Sequence, residues 1–398
     1  MSLRRVRFLA GSTAALAVTA APRVAPAQTV TLPFENGERS LAVFPQKRPL
    51  IVQTPRPPQL ETPFTVFDEG VMTPNDAFYV RWHHAEIPTN VNASAHRVSV
   101  IGAVARPISL SLDDLAAMRT VEVVAVNQCS GNSRGFSVPR VAGGQWGHGA
   151  MGNARWTGVR LRDILERAGM QGSTKQVQFA GMDRPTVPLV PDFRKALDID
   201  VARGDDVLVA YLMNGEPLPV LNGYPVRLIV PGWYGTYWVK ALSRITVLNE
   251  PDQNYWMKTA YRIPDTPDNS VQPGATGFPT IPINRLRVRS FITNLADGAR
   301  LPSGAVVLRG IAFDGGSGIR RVDWSSDGGS TWREATLEED YGKYSFRRWN
   351  ARLDATSGTY ALAVRATALD GSVQPATAGW NPAGYLRNAI ETYRVTVS

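Results

Sequence analysis

A single cysteine, Cys129, occurs in 398 residues, so the chain forms no internal disulfide and no cysteine-rich zinc site. Four histidines leave little for a multi-histidine metal centre. Charged residues make up 19% and hydrophobic residues 43%, ordinary globular values that exclude a disordered chain, a coiled coil or a collagen-like repeat. No lysine/arginine stripe with interleaved aromatics marks a nucleic-acid surface. Beyond the first segment no apolar run approaches the roughly 18 residues that a spanning helix needs. What is abundant is glycine (35) and proline (29), a loop-rich texture that argues against an all-helical fold. The length predicts two or three domains.

Residues 1–27 read as a cleaved export signal. Arg4, Arg5 and Arg7 form a basic head, Phe8 to Ala21 an apolar run, and Ala25-Pro26-Ala27 a small-residue cleavage pattern. The Arg4-Arg5 pair ahead of Phe8-Leu9 resembles a twin-arginine signal with one extra residue in the spacing. A Sec leader or a membrane anchor is the alternative. Cleavage after Ala27 removes four arginines and no acid, lowering the net charge from +9 to +5. The mature chain is expected to be periplasmic, without a membrane span, and mildly suited to an anionic substrate or partner.

The remainder divides by texture. Residues 28–60 are proline-rich and read as an extended arm packed on the surface. From 61 to 263, short strands alternate with a few helices, which predicts a mixed α+β domain. Ser111 and Asp114 sit at capping-box positions of a helix start. Val121–Val126 is continuously apolar and reads as a buried strand. Leu161–Ala168 is an amphipathic helix stopped by Gly169. A proline/glycine-rich linker is expected over 264–284. Over 285–398, period-two strands separated by Asp-Gly and Gly-Gly turns predict an all-β sandwich of immunoglobulin type, without the usual intersheet disulfide.

Cys129 follows the buried strand and opens the loop Cys129-Ser-Gly-Asn-Ser-Arg134-Gly-Phe. A lone cysteine has three readings. It is an inert core thiol, a nucleophile with a base nearby, or the one thiolate on a metal whose other ligands come from a cofactor. Its place at a strand end, five residues before Arg134, favours a functional role.

Asn127-Gln-Cys-Ser-Gly-Asn-Ser-Arg resembles the cysteine loop of the sulfite oxidase family of molybdenum enzymes. Trp146-Gly-His-Gly-Ala-Met-Gly-Asn-Ala-Arg-Trp-Thr-Gly-Val-Arg-Leu is similar to that family's next signature. So are Phe78-Tyr-Val-Arg-Trp-His upstream, and Asn214-Gly-Glu-Pro-Leu-Pro with Gly223-Tyr-Pro-Val-Arg-Leu-Ile-Val-Pro-Gly downstream. Asp327-Gly-Gly-Ser-Thr-Trp resembles a hairpin of the family's dimerisation domain. The resemblance implies a molybdopterin-binding catalytic domain over 61–263, an immunoglobulin-like dimerisation domain over 285–398, and one Mo-molybdopterin per chain with Cys129 as metal ligand. It implies substrate and catalytic roles for Arg81, His83, Arg134, Tyr261 and Arg387. Arg387 would reach in because Ala383 stands where vertebrate relatives carry an arginine. Tyr79, Arg81, His83, Cys129, Asp183, Asn222, Arg227, Trp238, Val239 and Lys240 would contact the cofactor. Asn222 stands where many relatives have histidine. His84 and His148 carry no assigned role.

The implied reaction is oxidation of sulfite to sulfate, with electrons passed to a c-type cytochrome that acts as subunit or acceptor. The chain itself carries no haem, because a Cys-x-x-Cys-His site needs two cysteines. A homodimer is expected. Two alternatives stand at this point: a sulfane-sulfur dehydrogenase of a thiosulfate-oxidising complex or a related sulfoxide reductase, and a secreted binding protein without chemistry.

Overall fold

The computed structural model describes residues 28–32, 36–42 and 44–398; the expected export signal lies outside them. No helix among the described residues is long and apolar enough to cross a membrane. The architecture is mostly β. Its α-helices are short, the longest being Leu161–Ala168 with eight residues, so the expected α+β domain is strand-rich with helical punctuation. Runs of Val, Ile, Thr and aromatic residues cut by glycine and proline sustain strands and leave no room for long helices.

Residues 28–61 do more than lie on a surface. Strands Thr29–Thr31, Glu38–Ala42, Leu50–Thr54 and Gln59–Glu61 join Val80–Arg81 in one five-stranded sheet. Leu50 and Leu60 are wholly buried. The surface expectation failed because three- to five-residue strands broken by proline give no readable period. A second sheet runs Arg194–Asp198, Gln176–Gly181, Leu242–Leu248, Val98–Gly102 and Ile108–Leu110. Within it the 242–248 and 98–102 strands are parallel, with Arg244 beside Ser99. The third sheet is built on the long hairpin of Thr120–Gln128 and Met151–Arg160, continued by Leu208–Met213. Only the second half of Thr120–Gln128 is buried; Thr120 and Glu122 face solvent.

Local signals hold where capping chemistry dictates them. Ser111 accepts from the Asp114 N–H, and the Asp114 carboxylate accepts from the Ser111 N–H. Helix Leu161–Ala168 ends at Gly169 with φ +70. The C-terminal region forms two sheets, one of Arg289–Ile292, Gly304–Phe313, Arg347–Ala355 and Thr336–Leu337. The other comprises Arg300–Leu301, Thr392–Val397, Gly358–Ala368, Ile319–Ser325 and Arg333–Glu334. Trp324, Trp349, Leu353, Leu362 and Val395 pack together in their shared core.

The arm grips the rest of the domain through Glu61. This buried carboxylate accepts from the N–H of Gly147 at 3.0 Å, of Gly149 at 2.8 Å, and from Gln53 Nε2 at 2.8 Å. A Cβ at Gly149 would lie 1.9 Å from the Thr62 carbonyl oxygen. Gly149→Ala is therefore expected to push arm and loop apart and to cost about 1–3 kcal/mol of stability. Urea denaturation checks this, and an unchanged midpoint would show that the contact relaxes freely.

Candidate active site

The hairpin strand Thr120–Gln128 delivers Cys129 to the end of the third sheet. The loop after it is clamped onto residues 146–150: Cys129 N–H donates to Ala150 O at 2.9 Å, Ser133 N–H to Gly147 O at 2.7 Å and Gly135 N–H to Trp146 O at 3.0 Å. Ser133 takes the left-handed conformation, φ +67, which turns the chain so that Arg134 follows. Cys129 is half-buried and free. It lies at the junction of an inner cavity and a wider, open mouth.

The inner cavity is lined by Tyr79, Arg81, His83, Cys129, Asn222, Arg227, Trp238, Lys240 and Tyr261, all anticipated from sequence. Gln59 pairs with Arg81 across the arm sheet, which fixes where that guanidinium starts. His83 shares Arg81's side of the chain, stacks on Phe193 with centroids 3.5 Å apart, and places Nε2 2.5 Å from the Tyr261 hydroxyl. His84 turns away and accepts from the Phe193 N–H at 3.0 Å. Burial, reinforced by Arg81 and Lys240, holds His83 well below the usual histidine range, so the ring is neutral. Burial raises the Tyr261 phenol, so it keeps its proton.

Arg227 is wholly buried between the rings of Trp156 and Trp238 and donates to Asn222 O at 2.8 Å and Trp238 O at 3.2 Å. The Asn222 amide is already engaged: its oxygen accepts from Lys47 and its nitrogen donates to Tyr79 O at 3.0 Å. Tyr79 donates its hydroxyl to Asn127 Oδ1. Lys240 stands over the Trp82 ring at 4.6 Å. Burial, with Arg227 close by, lowers Lys240 from 10.5 to about 7.

Three expected residues are placed elsewhere. Asp183 is buried behind the wall, acts on Lys240 only at longer range, and is raised by desolvation. Val239 faces the core, its carbonyl accepting from Leu228. Arg387 is not brought to the cavity: it pairs with Glu391 at 3.0 Å, and Glu391 also meets Arg289. Arg134 lies at the mouth, where Nε donates to Ala383 O at 2.8 Å.

Sequence reasoning missed Lys47, Gln59 and Glu61 on the arm, Phe193 and Trp256 beside His83, and Ser130 and Tyr385. The arm residues sit outside any recognisable motif. Asn127 and Ser130 lie inside the cysteine-loop motif and Tyr385 between Ala383 and Arg387, but residue type alone did not separate them from their neighbours.

The donor set indicates what the cavity holds. Arg81, Arg227 and Lys240 line it, and among the described residues no carboxylate does. Arg81 Nη1, Asn127 Nδ2, Ser130 Oγ and Arg227 Nε are buried there without a partner among the described residues. Unpaired buried donors of this number call for an anionic, hydrogen-bonding guest. No three His, Cys, Asp or Glu side chains converge on a metal position among the described residues. A metal at Cys129 must therefore take its other ligands from an organic group, which fits a pterin dithiolene.

Comparison with known proteins agrees. The family model described as an oxidoreductase molybdopterin binding domain matches residues 84–256, and that of a Mo-co oxidoreductase dimerisation domain matches 280–398. Mitochondrial sulfite oxidase of Mus musculus is 37% identical over 87% of this chain and 66% of its own. The chain thus spans about two thirds of that relative's length. Sulfite oxidase of Arabidopsis thaliana is 30% identical over 90% of this chain and 97% of its own. The solved sulfane dehydrogenase SoxCD of Paracoccus pantotrophus matches with a TM-score of 0.76 and 25% identity, covering 97% of this chain and 94% of that one.

The lowered Lys240 sets a pH dependence. Its folded value lies below its unfolded one, so between about pH 7 and 10.5 the unfolded chain binds more protons. Stability of the cofactor-free protein is expected to rise with pH across that window. Lys47 and Lys195, also lowered to about 7, add in the same direction. Lys240→Met should flatten the slope in thermal melts from pH 6.5 to 9.5; an unchanged slope would mean that the folded ammonium is fully solvated.

Proposed function

The chain belongs to the sulfite oxidase family of molybdopterin oxidoreductases, and from that premise we propose that it oxidises sulfite to sulfate. The carrying observation is that Arg81, Cys129 and Tyr261 line both the inner cavity and the mouth, with Arg134 at the mouth. The balance is SO₃²⁻ + H₂O → SO₄²⁻ + 2 H⁺ + 2 e⁻. Mo-molybdopterin, when bound, supplies the oxygen transfer and takes up the electron pair. Cys129 would hold the metal; Arg227, Lys240 and the partnerless donors of Asn127 and Ser130 would hold the organic part.

The chain's own residues do the rest. Arg81 and Arg134 offer planar guanidinium forks to the substrate's oxygens and offset its double negative charge. These donors are fixed before substrate arrives, so little reorganisation accompanies the reaction. Neutral His83, 2.5 Å from the Tyr261 hydroxyl, fixes the position of a phenol that keeps its proton at the cavity wall. Phe193, Trp256 and Tyr261 surround His83 and keep bulk water from it.

The acceptor is a c-type cytochrome, the chain works as a homodimer through an immunoglobulin-type C-terminal sandwich, and the mature form is periplasmic. The dimerisation-domain match and the strand pattern support the second of these; the leader's Arg4-Arg5 pair and small-residue cleavage site support the third. A second reading, oxidation of sulfane sulfur, is favoured by the SoxCD likeness and by Ala383 at the mouth, which leaves room beside Arg134.

Loaded protein is expected to carry one molybdenum per chain and to reduce cytochrome c with sulfite. Cys129→Ser should abolish both retention of the metal and turnover. Arg81→Gln should raise the sulfite KM about 10- to 100-fold, the loss of one or two charge-assisted hydrogen bonds. Turnover with a sulfane donor but not with sulfite would transfer the assignment to the second reading. Full sulfite turnover by Cys129→Ser would overturn both.

A further inference from the structure

The C-terminal domain reaches the mouth through one bent segment. Ala383 and Tyr385 line the mouth together with Gln59, Arg81, Cys129, Arg134 and Tyr261. On either side of Tyr385 the backbone is left-handed, φ +59 at Gly384 and φ +67 at Leu386. Glycine adopts this freely, but a buried leucine does so only under constraint. The constraint is visible. Tyr385 exchanges two hydrogen bonds with the Asn381 side chain, its N–H donating at 3.1 Å and its carbonyl accepting at 2.8 Å. Leu386 N–H points to Ser130 O in the cysteine loop, at 3.4 Å.

That bend presents the Tyr385 ring between two residues of the site. On one side it stacks on Tyr261, with centroids 5.7 Å apart and planes 6° from parallel. On the other the Arg134 guanidinium carbon stands 5.1 Å from the ring centre. Both neighbours rest on strained backbone of their own, Tyr261 at φ +57 and Ser133, next to Arg134, at φ +67. Strain is thus gathered at the three points that fix a cation, a phenol and the ring between them. Arg134 has no carboxylate partner among the described residues; besides the ring it meets only the carbonyls of Ala383 and Gly144.

We propose that Tyr385 is a substrate-positioning residue: its ring, wedged between Arg134 and Tyr261, sets the spacing of cation and phenol and so the size of sulfur oxyanion the mouth admits. The C-terminal domain is then a working part of the site. The inference rests on reading the mouth as an oxyanion site, and it assigns the effect to the ring, not the hydroxyl.

The test compares Tyr385→Phe, Tyr385→Leu and Tyr385→Ala with the unaltered chain. In molybdenum-loaded protein, Tyr385→Ala and Tyr385→Leu are expected to raise the sulfite KM about tenfold while kcat changes less than about threefold, the scale of one partly desolvated cation–π contact. Tyr385→Phe should stay within about twofold of the unaltered chain on both constants. The ratio of thiosulfate to sulfite turnover should rise in Tyr385→Ala. The second readout is calorimetric sulfate binding to the molybdenum-loaded protein, whose inner cavity is filled, and it should weaken in the Ala and Leu variants and persist in Phe. A sulfite KM and sulfate affinity left unchanged by Tyr385→Leu would overturn the proposal. So would a loss in Tyr385→Phe equal to that in Tyr385→Ala, or a kcat loss in Leu that tracks molybdenum content and melting temperature. Sulfate binding also keeps the two readings apart. If the unaltered chain fails to turn over sulfite yet binds sulfate through Tyr385, the assigned reaction fails and the wedge stands.

Discussion

Among the described residues, Arg81, Arg227 and Lys240 face one cavity that no carboxylate lines. Cations gathered in this way lose hydration and repel one another, and the described residues supply no ion pair to offset either cost. Desolvation carries Lys240 to about 7 and Arg227 to about 10, the expected response of positive groups held without an anion. The unpaired donors of Asn127, Ser130, Arg81 and Arg227 carry the same information in hydrogen-bond terms. Folding has therefore built a site whose stability and chemistry both await a negatively charged guest. The neutrality of His83 follows the same logic of charge, since a fourth cation would add to the repulsion.

Such a cavity needs rigid walls, and these come from three separate stretches of chain. The arm supplies Gln59 beside Arg81, Lys47 on the Asn222 amide and Glu61 on the glycine loop. The 146–150 loop, held by Glu61, in turn carries the Cys129 loop through backbone bonds. The C-terminal segment closes the assembly from the other side through Ala383, Tyr385 and Leu386. Strain at Ser133, Tyr261 and Leu386 is tolerated because each residue is over-determined by contacts from another stretch.

Much of this was legible in the sequence because it depends on local chemistry. The capping box at Ser111, the Gly169 stop and the strand alternation after 285 follow from short-range rules. The loop around Cys129 and the Arg81–His83 spacing were readable as motifs. The arm was not, because its strands are too short to show a period and Glu61 and Lys47 work through partners more than 80 positions away, Gly147 and Asn222. Arg387 illustrates the opposite error. A basic residue near a site is drawn to the nearest buried acid, and Glu391, one helical-turn spacing along, takes it before the cavity can. The families' matched segments, 84–256 and 280–398, exclude Arg81 and Tyr261, so the site is completed by chain outside both.

Arg387 and Glu391 instead lead to a buried chain of polar contacts that crosses between the domains. Glu391 meets Arg289 at 3.3 Å, Arg289 donates to Ser133 Oγ at 2.7 Å, and Ser133 Oγ lies 2.6 Å from His148 Nδ1. Desolvation keeps His148 neutral, which avoids a third cation beside Arg289 and Arg387. A single carboxylate, Glu391, is thus shared by two guanidinium groups, so its removal strands uncompensated positive charge in a dry place. The route ends on Ser133, the residue whose left-handed turn aims Arg134 at the mouth. Separating the domains would leave Arg289 and Glu391 without their loop partner and would remove the Arg289 donor from Ser133 Oγ. Domain docking and the shape of the substrate mouth are therefore one event in energetic terms, and the site is complete only in the two-domain chain.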